Sequence, residues 1–233
     1  MTTGTTMRSP GTDRNARGTD RKYTDLVQLR ADDSLRARIT GNLAAHERST
    51  EPDPSLRPAA VAMTVVANEG GDACFVITRR VSSLRDHSGQ WALPGGRIDE
   101  GEDPAGAALR ELDEEVGLSC TADRVLGLLD DYPTRSGFRI TPVVVWAGKN
   151  VVLTPNPNEV AEVHRVPIEG LDAPGIPKLF DLEESDRPVL SVRILDQDIF
   201  APTAAVIFQF REVAIHGRNT RVAHYDQPFF AWR

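Results

Sequence analysis

Two glutamates, Glu114 and Glu115, follow a third, Glu111, at spacings of three and four residues. A helix would bring these carboxylates together on one face. Like charges at this spacing weaken an isolated helix by about 0.2–0.5 kcal/mol per pair, and a divalent cation with hard oxygen ligands would offset that repulsion. A solvated acidic face is the alternative. By itself, the pattern is therefore compatible with a metal site or with a charged surface.

A glycine-dense turn, Leu93-Pro94-Gly95-Gly96-Arg97, lies shortly before the acidic segment. Such a turn brings backbone amides and carbonyls close to whatever the next element holds, although it could also be an ordinary turn. The spacing predicts a helix from about Pro104 to Val116. Asp103 would be its N-cap, proline its first residue, and Gly117 its end.

Together these elements match the Nudix box, which reads Gly, five residues, Glu, seven residues, then Arg-Glu-aliphatic-any-Glu-Glu-any-Gly-aliphatic. The matching residues are Gly96, Glu102, Arg110, Glu111, Leu112, Glu114, Glu115, Gly117 and Leu118. The chain thus resembles Nudix hydrolases. The resemblance implies a fold of the α/β (α+β) class, a mixed β-sheet sandwiched between helices (α/β/α). An N-terminal helical extension is predicted separately, because apolar residues between Tyr23 and His46 recur at near-helical spacing.

The resemblance also implies roles for the box residues. Three carboxylates and one carbonyl would bind Mg²⁺ or Mn²⁺, namely those of Glu111, Glu114, Glu115 and Gly96. Arg110 and Glu102 would form an ion pair that positions the helix. Such an ion neutralises diphosphate oxygens and lowers the pKa of a bound water, from which a carboxylate removes a proton.

The general base varies within this family, so two sources remain open. It could be a box glutamate, Glu111 or Glu114, or a glutamate of a later loop. Glu159 and Glu162 are the later candidates, and Glu159 is preferred because it directly follows the predicted turn. The alternative for Glu159 is an exposed carboxylate at a strand edge.

A second motif, in residues 76–96, is similar to the signature of coenzyme A diphosphatases within the Nudix family. The residues in register are Thr78, Arg80, Arg85, Gly89, Pro94, Gly95 and Gly96, whereas Val81 and Leu93 depart from the signature. This similarity implies hydrolysis of coenzyme A or its thioesters to 3′,5′-ADP and 4′-phosphopantetheine.

The same segment carries arginines suited to a substrate with several phosphates, because one guanidinium group can donate two parallel hydrogen bonds to phosphate oxygens. We predict Arg79, Arg80 and Arg85 as substrate-binding residues, and ordinary surface arginines are the alternative. His87 lies in the same loop, where a contact with phosphate or water is one alternative and a structural role is the other. Two other functions remain open: the same hydrolysis on another nucleoside diphosphate derivative such as ADP-ribose, and a non-catalytic nucleotide-binding Nudix domain. All three box carboxylates are present, which disfavours the second.

Composition narrows the class of protein. The net charge of −7 disfavours a nucleic-acid binder, because nucleic-acid backbones are held mainly by basic surface. The apolar runs are shorter than the roughly 20 residues that cross a bilayer, and residues 1–22 lack the apolar stretch of a secretory signal. We therefore expect a cytoplasmic protein that binds a small nucleotide substrate, with Cys74 and Cys120 as free thiols. By resemblance to the family, we also expect a homodimer.

The chain divides into three predicted parts: a disordered tail (1–22), an N-terminal helix and linker (23–58), and the Nudix domain (59–233). Within the domain, Ala60–Ala67 and Ala73–Thr78 are predicted to form a hairpin, because Asn and Gly between them accept positive φ. Further strands are predicted at 125–131, 138–146, 151–153 and 160–166. A second helix is expected at 202–215, and the aromatic C-terminus is expected to dock on the core or at a dimer interface.

Overall fold

The computed structural model describes residues 29–81, 89–182 and 185–228. Its helices are α1 (Asp33–Ala45), α2 (Pro104–Val116) and α3 (Thr203–Gln209), the last continuing into a π-helical segment, Phe210–Ile215. Its strands are β1 (Arg57–Ala67), β2 (Ala73–Arg80), β3 (Trp91–Ala92), β4 (Gly95–Arg97), β5 (Val125–Leu128), β6 (Tyr132–Pro133), β7 (Phe138–Gly148), β8 (Val160–Pro167), β9 (Lys178–Leu182), β10 (Ser185–Ile194) and β11 (Gln197–Phe200).

The main sheet is built around two long central strands. Strands β1 and β7 pair in parallel, and the sheet order is β3-β2-β1-β7-β5. Strand β4 pairs with β1, β6 with β7 and β8 with β2, all antiparallel. The predicted hairpin is present as β1 and β2, which pair with Val66 opposite Cys74. The sheet is therefore mixed, as the sequence predicts.

Helices cover both faces of this sheet. On one face, Ala108, Leu112 and Val116 of α2 pack against Ala62 and Val143. The other face is covered by α1, α3 and the π-helical segment, whose core side chains are Leu35, Ile39, Leu43, Val206, Ile207, Phe210 and Val213. Successive residues of a strand point to opposite faces, which is why β1 contributes to both layers. The predicted α/β/α sandwich is confirmed.

Helix α1 belongs to the same core as the main sheet. Asp32 caps it by accepting a hydrogen bond from the Leu35 amide at 3.0 Å. Leu35, Ile39 and Leu43 are buried in the cluster that contains Met63 of β1. The predicted N-terminal helix therefore packs on the domain. The predicted tail (1–22) and residues 23–28 of the predicted helix and linker lie outside the described residues.

The predicted strand at Val151–Leu153 is wrong, because no strand forms there. The backbone that follows it hydrogen-bonds to carbonyls of α2 and not to a neighbouring strand. The amide of Thr154 donates to the Val116 carbonyl at 2.7 Å, and the amide of Asn156 donates to the Glu115 carbonyl at 2.9 Å. These carbonyls belong to the last turn of α2, where a helix leaves its acceptors unpaired. The segment thus closes the C-terminal end of α2 while remaining irregular.

Residues 178–228, here called the C-terminal unit, contain a second sheet that the sequence interpretation did not assign. Strands β9, β10 and β11 form an antiparallel sheet in the order β11-β10-β9. Leu190, Val192 and Ile194 of β10 are buried. The predicted second helix is present as α3 and the π-helical segment, and Tyr225 of the aromatic end packs near Phe208, with ring centroids 6.3 Å apart. Residues 229–233 lie outside the described residues.

Two expectations from composition concern the thiols and the membrane. Cys74 is buried, Cys120 is half-buried, and both are free thiols, as predicted. Among the described helices, none has the length and apolar character needed to span a bilayer.

Candidate active site

Arg110, on α2, hydrogen-bonds to three glutamates of the Nudix box. Its Nε and Nη2 donate to the two carboxylate oxygens of Glu102, both at 3.1 Å, so the predicted ion pair is present and bidentate. Its Nη1 donates to Glu111 at 2.8 Å and to Glu114 at 3.0 Å. Nη2 also reaches the Arg97 carbonyl at 3.0 Å. One guanidinium thus connects the loop before α2, strand β4 and two of the three clustered glutamates.

Gly96, on β4, lies directly against Glu111. A Cβ at position 96 would stand 2.2 Å from Oε1 of Glu111, far inside contact distance. A side chain at position 96 would therefore displace the Glu111 carboxylate from its present position. Burial raises the pKa of Glu111, and the hydrogen bond from Arg110 opposes that rise. The Gly-Gly turn therefore brings the β4 backbone against a carboxylate, as the sequence suggested.

Glu115 is the buried member of the acidic cluster. Its side chain is 3% exposed, and Nη1 of Arg80 lies 3.5 Å from Oε1. Burial raises the pKa of Glu115 to about 8; Arg80 opposes the rise, while Glu111 and Glu159 add to it. Glu115 therefore packs as part of the sheet–helix interface and still faces two other carboxylates.

These groups open onto one cavity of about 350 Å³. Its polar lining includes Arg80, Gly96, Glu111, Glu115 and Glu159. A volume of this size lies within the range of small-molecule sites. Glu159 reaches the cavity from the turn before β8, where its amide donates to the Asn156 carbonyl at 3.0 Å. The turn is itself tied to α2 through Asn156 and Glu115.

Other predicted site residues lie elsewhere. Glu114 has a half-exposed side chain, bound to Arg110, and is not among the cavity residues. Arg79 forms an ion pair with Glu162 and also lies outside the lining. Arg85 and His87 lie outside the described residues. Of the arginines predicted to bind substrate, Arg80 is the described one that reaches the cavity.

The donor chemistry of the cluster fits a divalent cation with hard oxygen ligands. Carboxylates and a backbone carbonyl are the ligands that Mg²⁺ and Mn²⁺ prefer. Over the described ranges, no group of three or more acidic, histidine or cysteine side chains is already arranged as a metal cage. Arg110 occupies Glu111 and Glu114, and Arg80 faces Glu115, so these guanidiniums hold the carboxylates that an ion would take.

The sequence interpretation did not identify the apolar part of the cavity. Val61, Trp91, Leu93, Phe138, Ile140 and Val206 line it, together with Arg97. The guanidinium carbons of Arg57 and Arg97 lie 3.9 and 5.8 Å from the Phe138 ring centroid. Trp91 and Leu93 lie within the motif of residues 76–96, and this motif was the one sequence feature that could have pointed to lining residues. The others come together only through strand pairing and the packing of α3.

Comparison with known proteins decides the family. The NUDIX domain model matches residues 56–191, which is more than half of the chain. The chain belongs to the Nudix hydrolase family. As a Nudix hydrolase it is an enzyme, and members of this family act on small nucleotide derivatives and generally use divalent metal ions.

Two proteins of similar sequence are named Nudix hydrolases. An uncharacterized Nudix hydrolase NudL of Pectobacterium atrosepticum is 34% identical over 67% of this chain and 85% of its own length. Nudix hydrolase 22, chloroplastic, of Arabidopsis thaliana is 36% identical over 48% of this chain and 38% of that protein. A MutT/nudix family structure from Enterococcus faecalis is 17% identical, covers 73% of this chain and 66% of that one, and gives a TM-score of 0.48. The chain thus spans well under half the length of the Arabidopsis relative.

Proposed function

We propose that this Nudix hydrolase is a Mg²⁺- or Mn²⁺-dependent diphosphatase that cleaves coenzyme A or its derivatives to 3′,5′-ADP and 4′-phosphopantetheine. The observation that carries the hydrolytic part is the meeting of Glu111, Glu115 and Glu159 in one cavity beside the Gly96 backbone. Acidic side chains crowded in this way favour a divalent cation, which would bring an anionic diphosphate to an otherwise repulsive surface.

The metal ligands in this proposal are Glu111, Glu114, Glu115 and the Gly96 carbonyl. Arg110 now holds Glu111 and Glu114, and its two further bonds to Glu102 would keep the loop and α2 in register when those carboxylates serve as ligands. Mg²⁺ or Mn²⁺ would supply charge neutralisation of the diphosphate and a bound water of lowered pKa. Arg80, freed from Glu115, would then face the phosphate oxygens.

Glu159 is the proposed general base. It lines the same cavity as Glu111 and Glu115, and Asn156 Nδ2 lies 3.4 Å from its Oε1. A side chain in this position can accept the proton of an attacking water without being a metal ligand itself. Glu162, the other later-loop candidate, is paired with Arg79 and also contacts His164 at 3.0 Å.

Coenzyme A as substrate is supported by the sequence register at Thr78, Arg80, Gly89 and Gly95-Gly96. Hydrolysis of another nucleoside diphosphate derivative, ADP-ribose in particular, is the rival outcome, favoured by the departures at Val81 and Leu93. Coenzyme A carries a 3′-phosphate that ADP-ribose and dephospho-coenzyme A both lack, so a requirement for this group separates the two outcomes.

The deciding experiment incubates the purified protein and Mg²⁺ or Mn²⁺ with coenzyme A, dephospho-coenzyme A, ADP-ribose and NADH in parallel, with products separated by chromatography. Release of 3′,5′-ADP from coenzyme A, at a higher kcat/KM than for dephospho-coenzyme A, is expected. Turnover of ADP-ribose alone would retain the diphosphatase and discard the coenzyme A assignment.

Glu111→Gln tests the metal role. Glutamine keeps the shape but removes the charge, and we expect kcat to fall by at least about 10²-fold because a metal ligand is lost. Glu100→Gln is the matched control, since Glu100 is an exposed glutamate of the loop before α2 and does not line the cavity. Unchanged turnover in Glu111→Gln would rule out the proposed ligand role.

A further inference from the structure

The active-site cavity extends across the main sheet, from β4 to the end of β6. Arg97 of β4, Ala59 of β1 and Ile140 of β7 all line it and lie side by side in register. Ile140 is paired in turn with Tyr132 of β6. Adjacent strands lie about 4.8 Å apart, so three spacings, roughly 14 Å, separate β4 from β6. The far end of the cavity is thus well separated from the proposed diphosphate site at Gly96.

Four side chains line this far end, here called the β6 corner: Thr134, Ser136, Phe138 and Gln227. Phe138 supplies an aromatic ring, and the other three supply neutral hydrogen-bonding groups. Arg57 covers the Phe138 ring, 3.9 Å from its centroid, but is not itself a lining residue. The ring therefore meets the cavity with its remaining surface. A flat, neutral and polar group such as a nucleobase suits this lining better than a phosphate does.

Gln227 brings an unused acceptor to the β6 corner. It is 3% exposed, and its Nε2 lies 3.5 Å from the Pro133 carbonyl, which orients the side-chain amide. Its backbone amide donates to Oδ1 of Asp226 at 2.8 Å, which fixes the residue in place. Over the described part of the chain, Oε1 of Gln227 accepts no hydrogen bond. A carboxamide oxygen can accept two, so this atom is available to a ligand.

Ser136 brings a second acceptor. Oγ1 of Thr134 accepts from the Phe138 amide at 2.9 Å and donates to the Phe138 carbonyl at 3.2 Å. Its own hydrogen is therefore used, and the 3.0 Å contact between Thr134 Oγ1 and Ser136 Oγ takes its hydrogen from Ser136. Ser136 Oγ is left with lone pairs and no hydrogen to donate. The β6 corner thus presents two acceptors, which selects a ligand group that donates.

We propose that the β6 corner binds the 6-amino group of an adenine base, with Gln227 as a specificity-determining residue. The amino group of adenine donates two hydrogen bonds. The 6-oxo group of hypoxanthine is itself an acceptor and would face Gln227 Oε1 and Ser136 Oγ without a hydrogen between them.

The inference rests on the proposed function and adds to it the part of the site that selects the base. Gln227 lies beyond residues 56–191, which the NUDIX domain model matches, so the family pattern does not specify this residue. Coenzyme A and ADP-ribose both carry adenine. Selection of the base is therefore expected with either substrate.

Binding of AMP and IMP to the full chain, measured by calorimetry with Mg²⁺ present, tests the β6 corner. AMP should bind at least about tenfold more tightly than IMP, because IMP leaves the two acceptors unpaired. Gln227→Met, which keeps the length of the side chain, should lower this ratio about fivefold. Ser136→Ala should lower it about threefold, and it remains informative if the variant of the buried Gln227 does not fold.

The matched control is Gln197→Met, because Gln197 is exposed in β11 and does not line the cavity. It should keep the wild-type ratio of AMP to IMP affinity. Ribose 5-phosphate, which lacks the base, should bind equally to the wild type and to all three variants. A general loss of structure would weaken its binding as well.

These measurements separate the inference from the proposed function, since AMP and IMP contain no diphosphate. Selectivity for AMP that falls in Gln227→Met and Ser136→Ala, but not in Gln197→Met, supports the β6 corner even if neither coenzyme A nor ADP-ribose is hydrolysed. Wild-type protein that binds AMP no better than IMP overturns the inference, even if coenzyme A is cleaved. Selectivity that persists in both corner variants overturns it too.

Discussion

At the scale of single residues, the type of chemistry could be predicted from the sequence but the burial of each carboxylate could not. Helical spacing places Glu111, Glu114 and Glu115 on one face, yet their side chains are 14%, 53% and 3% exposed. Helical spacing sets only the direction in which each side chain points from the axis of α2. Which of those directions meets the sheet depends on β1, β4 and β2, and these contacts involve residues far apart in sequence.

The role of Glu159 is tested by comparing two neighbouring glutamates. Glu159→Gln should lower kcat by about 10²–10⁴-fold, the usual contribution of a general base, with a small effect on KM. Glu162→Gln is the control, because Glu162 pairs with Arg79 outside the cavity and should leave kcat near the wild-type value. A larger loss of kcat in Glu162→Gln than in Glu159→Gln would contradict the assignment. Steady-state kinetics at saturating metal give kcat and KM for both variants.

At the scale of elements, local signals were sufficient where the stabilising contact is local. Helix α2 begins with the Asp103 cap, which accepts from the Gly106 amide at 2.7 Å, and ends at Gly117 with φ 65°. The apolar run at residues 151–153 predicts a strand, but a local pattern cannot reveal that α2 carbonyls accept hydrogen bonds from the backbone that follows. Strand β10 was missed for a related reason: Arg187-Pro188 at its start reads as a break, and its partners β9 and β11 are short.

The cap of α2 gives a stability prediction. Asp103→Ala should lower the free energy of unfolding by about 1 kcal/mol, because the Gly106 amide loses its acceptor. Urea unfolding followed by circular dichroism measures the change. Asp99→Ala serves as the control, since Asp99 is exposed in the preceding loop, and its stability should stay within about 0.5 kcal/mol of wild type. Equal losses in the two variants would mean that the cap does not stabilise α2.

At the scale of the whole molecule, the C-terminal unit is joined to the Nudix domain through two buried carboxylates, Asp130 and Asp226, whose partners come from distant parts of the chain. Asp130 accepts hydrogen bonds from His46, Gln209 and Arg221, which tie α1, α3 and the segment after the π-helical segment to one carboxylate. Arg135, in the loop after β6, reaches Asp226, 91 residues away. Sequence spacing carries no information on such pairs, so the docking of this unit could not be predicted.

The Asp226 pair makes part of this docking dependent on pH. Burial alone would raise the pKa of Asp226, but hydrogen bonds from Arg135, Ser185 and the Gln227 amide lower it from 3.8 to about 2. A depressed pKa means that the ionised group stabilises the fold at pH values above its unfolded pKa. That stabilisation is lost as the pH falls from about 4 towards 2. Asp226→Asn should therefore be less stable than wild type at pH 6, by on the order of 1–2 kcal/mol because Arg135 is half-exposed.

The difference between wild type and Asp226→Asn should then shrink as the pH falls through this range, which urea unfolding at a series of pH values measures. Subtracting the two curves removes the other carboxylates, whose titration both proteins share. Asp196→Asn is the control, because the Asp196 side chain is 98% exposed and its loss should give a small difference that hardly changes with pH. A difference for Asp226→Asn that stays constant from pH 6 to pH 2 would show that the residue holds the unit by shape and neutral hydrogen bonds, with no contribution from its charge.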